Sequence, residues 1–85
     1  MDKKRVKHYD VYDQIAKNIK YYRKKSKLTQ AELAEKTGYS HEFIRRIEAP
    51  NSKKNFSIDA VSNIATALNI NIDILFGKRD EDEEK

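Results

Sequence analysis

The chain has 85 residues, 38% of them apolar and 38% charged, no Cys and a formal net charge of +4. That length fits one small domain, near the size at which a single core becomes marginal, and without thiols neither disulfides nor thiolate metal sites brace it. No apolar run approaches the roughly 20 residues of a membrane span and no apolar secretory segment opens the chain, so a cytoplasmic protein is the expectation.

Residues 1–9 (MDKKRVKHY) are rich in Lys and Arg and offer little that could pack, which predicts a flexible basic arm. A first helix starts at a cap supplied by Asp10 or Asp13 and runs to about Ser26. Ile15, Ile19 and Tyr22 form its apolar stripe, and Lys17, Lys20, Lys24 and Lys25 lie elsewhere around it. Leu28 links it to TQAELAEKTGYSHEFIRRIE, residues 29–48. There Thr29 and Glu32 have the spacing of a capping box, with Leu33 and Ala34 as apolar positions and Gly38 where a left-handed residue would end the helix. Ser40 caps the next helix, in which Ile44 and Ile47 share a face. Two short helices joined by a tight Gly-containing turn form a helix-turn-helix, whose second helix enters the DNA major groove.

Residues 49–56 (APNSKKNF) read as a loop, because Pro50 biases Ala49 away from helix and Asn and Ser favour turns. Ser57 caps a fourth helix with Ile58, Val61, Ile64, Ala65 and Leu68 on its predicted buried face. A turn at Asn69 to Asn71 leads to a short fifth helix bearing Ile72, Leu75 and Phe76. No strand-like alternation of useful length occurs, so the expected class is all-α. Residues 10–77 form the predicted domain, and 78–85 are expected to be a disordered acidic tail. Residues 1–79 hold 17 Lys and Arg against 9 Asp and Glu, whereas DEDEEK at 80–85 carries five acids and one Lys. A basic body suits a polyanionic partner, although charges can also simply solvate a small helical domain.

With Ile44 and Ile47 pointing inward, Glu42 falls nearly opposite them, Arg45 and Arg46 flank it, and His41 lies nearer the edge. Residues near the start of a recognition helix reach base edges most deeply, so Ser40, His41 and Glu42 are candidate base readers, with Arg46 one turn on. Arg can grip guanine O6 and N7, Glu can accept from cytosine N4, and His can donate to a purine. Glu42 and Arg46 are also an i,i+4 pair, each able to hold the other. Arg45 fits a phosphate contact or a solvated charge better than base reading. Gln30 opens its helix, where unpaired N–H groups and a positive dipole end favour a phosphate. Lys53, Lys54 and Asn55 in the following loop are further phosphate candidates, or a solvated loop.

From about Ile15 to Phe76 these residues resemble the lambda-repressor-like, or Cro/cI (Xre), helix-turn-helix regulators. The resemblance lies in Arg23, in LTQAELAEKTG, in the Ile44, Ile47 and Glu48 pattern, and in IATALNINIDILF. It implies a compact five-helix DNA-binding domain and a symmetric homodimer on a two-fold related operator of double-stranded DNA. It also implies an ion pair between Arg23 and Glu48, the phosphate role of Gln30, and base reading by Ser40, His41, Glu42 and Arg46. Ala49-Pro50 departs from the Gly-containing turn of many members, and the loop is longer than the commonest version. Ile70 and Ile72 are the expected dimer contacts, since so small a core cannot bury Ile70, Ile72, Leu75 and Phe76 together; DNA can complete a weak pair.

The function expected is a sequence-specific regulator, a repressor in the first instance, without catalysis, cofactor, metal or membrane. Two isolated His, no Gly-rich phosphate loop and no paired acids in a folded segment leave no enzyme site to propose. The alternative is an antitoxin-like or adaptor protein that uses the same scaffold to hold a protein partner.

Overall fold

Four of the five helices start where a short polar side chain takes up an orphan backbone N–H. The computed structural model describes residues 10–50 and 56–78. The predicted basic arm, the loop residues Lys53, Lys54 and Asn55, and the acidic tail from Arg79 onward lie outside the described residues. Helix α1 spans Val11–Lys25, and the Asp10 carboxylate accepts from the N–H groups of Tyr12 and Asp13 at 3.0 and 3.3 Å. Helix α2 spans Gln30–Thr37 and carries both halves of the capping box: Glu32 N–H donates to Thr29 Oγ1, and Thr29 N–H donates to Glu32 Oε1. Helix α3 spans His41–Glu48 behind Ser40, and α4 spans Ile58–Ala67 behind Ser57. The short α5, Ile72–Phe76, has no side-chain cap.

Three helices end in left-handed residues. Gly38 has φ 82°, which frees the chain to turn sharply into α3. At the end of α1, Lys27 has φ 64°, with Leu28 N–H donating to Arg23 O and Lys27 N–H to Lys24 O. Asn69, at φ 61°, repeats this pattern after α4, with Ile70 N–H on Ala65 O and Asn69 N–H on Thr66 O. Both are Schellman turns, and Asn tolerates this conformation better than Lys does.

The core is made by Ile15 and Ile19 of α1, Leu33 of α2, Ile44 of α3, Val61 and Ile64 of α4, and Leu75 of α5, all essentially inaccessible. Ile58 differs from expectation: it is 61% exposed, and Ala60 takes its place in the core. At 100° per residue Ile58 sits about 70° from the mean direction of Val61, Ile64, Ala65 and Leu68, and Ala60 about 90° away on the other side, so what sets Ile58 apart is its place as the first residue of its helix. Phe56, expected in the loop, is buried and meets the Tyr12 ring edge to face, with centroids 5.1 Å apart.

A buried amide closes the bottom of the fold. Asn18 is fully buried in α1, and its Nδ2 donates to the carbonyls of Leu75 at 2.8 Å and Gly77 at 2.7 Å. Gln14 Nε2 donates in turn to Asn18 Oδ1. Asn18→Ala would strip two carbonyls of their donor, and the expected cost is about 1–3 kcal/mol. Denaturant unfolding checks this, and Asn18→Leu should not rescue the loss, because the carbonyls need a donor rather than bulk.

Candidate nucleic-acid interface

Two helices held at a fixed angle present one polar face. Leu33 and Ala34 of α2 and Ile44 and Ile47 of α3 are buried, and Tyr39 in the turn packs on Phe43 with ring centroids 4.8 Å apart. The Tyr39 hydroxyl accepts from Asn63 Nδ2 of α4 at 2.7 Å, which ties the turn to the neighbouring helix. Thr37 Oγ1 donates to Leu33 O and accepts from Tyr39 N–H, bridging the end of α2 to the turn. Burial inside and hydrogen bonds at the turn make α2 and α3 a rigid pair.

The outward side of α3 carries His41, Glu42, Arg45 and Arg46, all exposed. Ser40 is also exposed, and its hydroxyl oxygen accepts the Phe43 N–H at 3.0 Å, so capping occupies the acceptor and leaves the O–H to donate. Glu42 pairs with Arg46 as the i,i+4 spacing predicts, and more tightly with Arg45. Arg45 Nη2 donates to Glu42 Oε1, whereas Arg46 Nη2 lies 3.9 Å from Oε2, at the limit of an ion pair. Both arginine side chains and the carboxylate are more than half exposed, so these pairs are weak and can exchange for a base edge or a phosphate.

Behind this face lies a buried ion pair. Arg23 Nε donates to Glu48 Oε2 at 2.7 Å and Arg23 Nη2 to Glu48 Oε1 at 2.9 Å, a bidentate grip between α1 and the last residue of α3. Arg23 Nη1 donates to Leu28 O at 2.7 Å, so the Schellman turn after α1 feeds the same guanidinium. Gln30 Nε2 also donates to Glu48 Oε1, at 3.0 Å. The half-buried Gln30 side chain is therefore anchored to the ion pair, which aims its remaining amide proton. The N–H groups of Gln30 and Ala31, in the first turn of α2, have no intrahelical acceptor. The sequence reading missed this link between Gln30 and Glu48, and also Tyr39 and Asn63. No periodicity signals contacts 18 and 24 residues apart.

Among the described residues, no three His, Cys, Asp or Glu gather as a metal site, and no helix is long and apolar enough to cross a membrane. Ile70 and Ile72 are half-buried against the core, Leu75 is buried, and Ile74 is 38% exposed. Ile70 and Ile74 border an open depression with Thr66, Asn69 and Asn71.

A helix-turn-helix family model matches residues 19–75. The HTH-type transcriptional regulator SinR of Bacillus licheniformis is 33% identical over 69 residues, which is 81% of this chain and 61% of SinR. The chain thus spans less than two thirds of that relative. A crystal structure of SinR, the master regulator for biofilm formation, in complex with DNA is similar at TM-score 0.68 and 32% identity, over 74% of this chain and 98% of that one. The hypothetical transcription factor NHTF from Neisseria has TM-score 0.76 at 21% identity, over 88% of this chain and 84% of its own, and shares the fold.

Proposed function

This chain belongs to the helix-turn-helix family, of Cro/cI (Xre) type, and from that premise we propose that it is a sequence-specific transcriptional regulator that represses by occupying an operator. The family comprises DNA-binding regulators and is not a class of enzymes. The observation that carries the reading is the exposed row His41, Glu42, Arg45 and Arg46 on a helix whose other side is locked by Ile44, Ile47 and Glu48. A rigid helix with a polar outer face can enter a major groove without unfolding anything. SinR, seen in complex with DNA, supports the same use of the scaffold.

In this reading residues 10–77 are the binding unit of a cytoplasmic protein. Ser40, His41, Glu42 and Arg46 meet base edges, and Gln30, Arg45, Lys53, Lys54 and Asn55 meet phosphates. Two copies related by a two-fold bind one operator, touching through the edge formed by Ile70, Ile72 and the more exposed Ile74.

Selecting bound duplexes from a random pool tests the reading directly. The chain should enrich one sequence, and Arg46→Ala should cost about 1–3 kcal/mol on it and relax preference at one position per half-site. Gln30→Ala should weaken all duplexes about equally, because a phosphate contact carries no base information. If Arg46→Ala left both the selected sequence and its affinity unchanged, Arg46 would leave the base-reading set. Failure of the chain to enrich any sequence would refute the function.

A further inference from the structure

Helix α1 carries a row of lysines that form no ion pair with any acid among the described residues. Lys17, Lys20 and Lys24 fall within about 60° of one another on the helix, roughly opposite Ile15 and Ile19, and all three are exposed. Lys25, 5.7 Å from the centroid of the Tyr21 ring, widens the row. Lys17 and Lys20 also line a cleft of about 350 Å³ with Asp13, Glu48 and Pro50, so the row borders the C-terminal end of α3. It is a cationic face next to the helix that meets DNA.

The most acidic stretch of the chain is tethered to the same helix. Asn18, on the buried side of α1 and roughly 100–160° around it from the three lysines, holds the Gly77 carbonyl at 2.7 Å, so the chain leaves the fold level with the middle of α1 and reaches the row by passing around the helix. Three residues later begins DEDEEK, residues 80–85, with five acids. An extended chain covers about 3.3–3.6 Å per residue, so Asp80 reaches ~11 Å from Gly77 and Glu84 ~25 Å. Lys17 to Lys24 spans only ~10 Å of helix axis. Reach and sign of charge both match, and a short tether supplies an effective concentration on the order of millimolar, enough to populate ion pairs that are individually weak.

We propose that the acidic segment 80–85 docks on the Lys17, Lys20 and Lys24 face of α1 and shields it from other polyanions. DNA must then displace it. Non-specific binding, which is essentially all electrostatic, loses proportionately more than binding to an operator, so the segment sharpens discrimination. The competition with DNA rests on the function proposed above; the docking does not.

The test uses the full chain. It has no Cys, so Lys85→Cys offers a single attachment point for a nitroxide. At low salt the label should broaden amide signals of Lys17 to Lys24 more than those of exposed residues in α2 and α4. About 0.5 M salt should relieve this, as should Lys17→Gln, Lys20→Gln and Lys24→Gln together. Equal broadening on every face, broadening indifferent to salt, or broadening that grows with protein concentration overturns docking within one chain. In the second arm the five acids are neutralised by Asp80→Asn, Glu81→Gln, Asp82→Asn, Glu83→Gln and Glu84→Gln. That protein should bind an arbitrary duplex of about 20 base pairs ~3–10-fold more tightly near 50 mM salt. The gain should shrink to under about twofold when the three lysines are also Gln. Unchanged affinity overturns the shielding. Selective broadening of α1 with no duplex bound by either protein upholds the docking and overturns the DNA-binding function instead.

Discussion

Glu48→Ala is expected to destabilise the fold by about 3–5 kcal/mol, the range for breaking a buried ion pair from one side. The side chains of Arg23 and Glu48 are only 9% and 2% exposed, so removing the carboxylate leaves a guanidinium that water barely reaches. Among the described residues its remaining acceptor is the Leu28 carbonyl, which satisfies one of the three donating nitrogens. Gln30 loses its anchor at the same time. In a domain of this size each kcal/mol moves the melting temperature by about 4–8 °C, so a fall of roughly 12 °C or more is expected. Glu35→Ala, on an exposed position of α2, should stay within about 0.5 kcal/mol of the parent. Replacing both partners, Arg23→Met with Glu48→Leu, should cost much less than Glu48→Ala alone, because no charge is then stranded. Equal melting temperatures for Glu48→Ala and Glu35→Ala would show that the pair has no structural role. Glu48 closes α3, so its loss should also weaken operator binding well below the melting temperature.

What could be read from the residues in advance divides by the range of the interaction. Asp10, Thr29 with Glu32, Ser40 and Ser57 each cap a helix through a bond spanning two or three residues, and such bonds depend on local sequence alone. The outward face of α3 is equally local, because the positions of Ile44 and Ile47 orient the whole helix. Asn18 was invisible for the opposite reason. An Asn on a helix reads as solvent-facing, and only the carbonyls of Leu75 and Gly77, 57 and 59 residues away, make its burial favourable. Phe56 was hidden among turn-forming residues, and the Tyr12 ring that receives it lies on α1. Ile58 shows how a periodic pattern overreaches at a helix end, where the spacing persists but the first residue is left exposed while Ala60 and Val61 of the same turn are buried. The Arg23–Glu48 pair spans 25 residues and came into view only through the family resemblance. The choice of Arg45 over Arg46 by Glu42 rests on side-chain rotamers, which no spacing rule specifies.

Inserting about five base pairs between the operator half-sites is expected to weaken binding ~100-fold or more. In the proposed reading one α3 offers the bases Ser40, His41, Glu42 and Arg46, all exposed, and four side chains read a few base pairs, too few to select a site in a genome. Two copies on a two-fold place their recognition helices about 34 Å apart, one turn of DNA, and the second copy then binds as a tethered ligand. Half a turn of extra DNA moves the second half-site to the far side of the duplex and abolishes that gain. The pairing surface proposed above is the edge around Ile70, Ile72 and Ile74, with the depression bordered by Thr66, Asn69 and Asn71. Ile74 is the position to alter first, because it is 38% exposed, whereas Ile70 and Ile72 also pack on the core and a charge there would damage the fold itself. Ile74→Asp should leave the melting temperature of the free protein nearly unchanged while lowering operator affinity and removing its sensitivity to half-site spacing. Native mass spectrometry with the selected duplex reads the stoichiometry directly. One protein per operator, with affinity indifferent both to the inserted base pairs and to Ile74→Asp, would sink the two-fold arrangement and leave a monomer reading a single half-site.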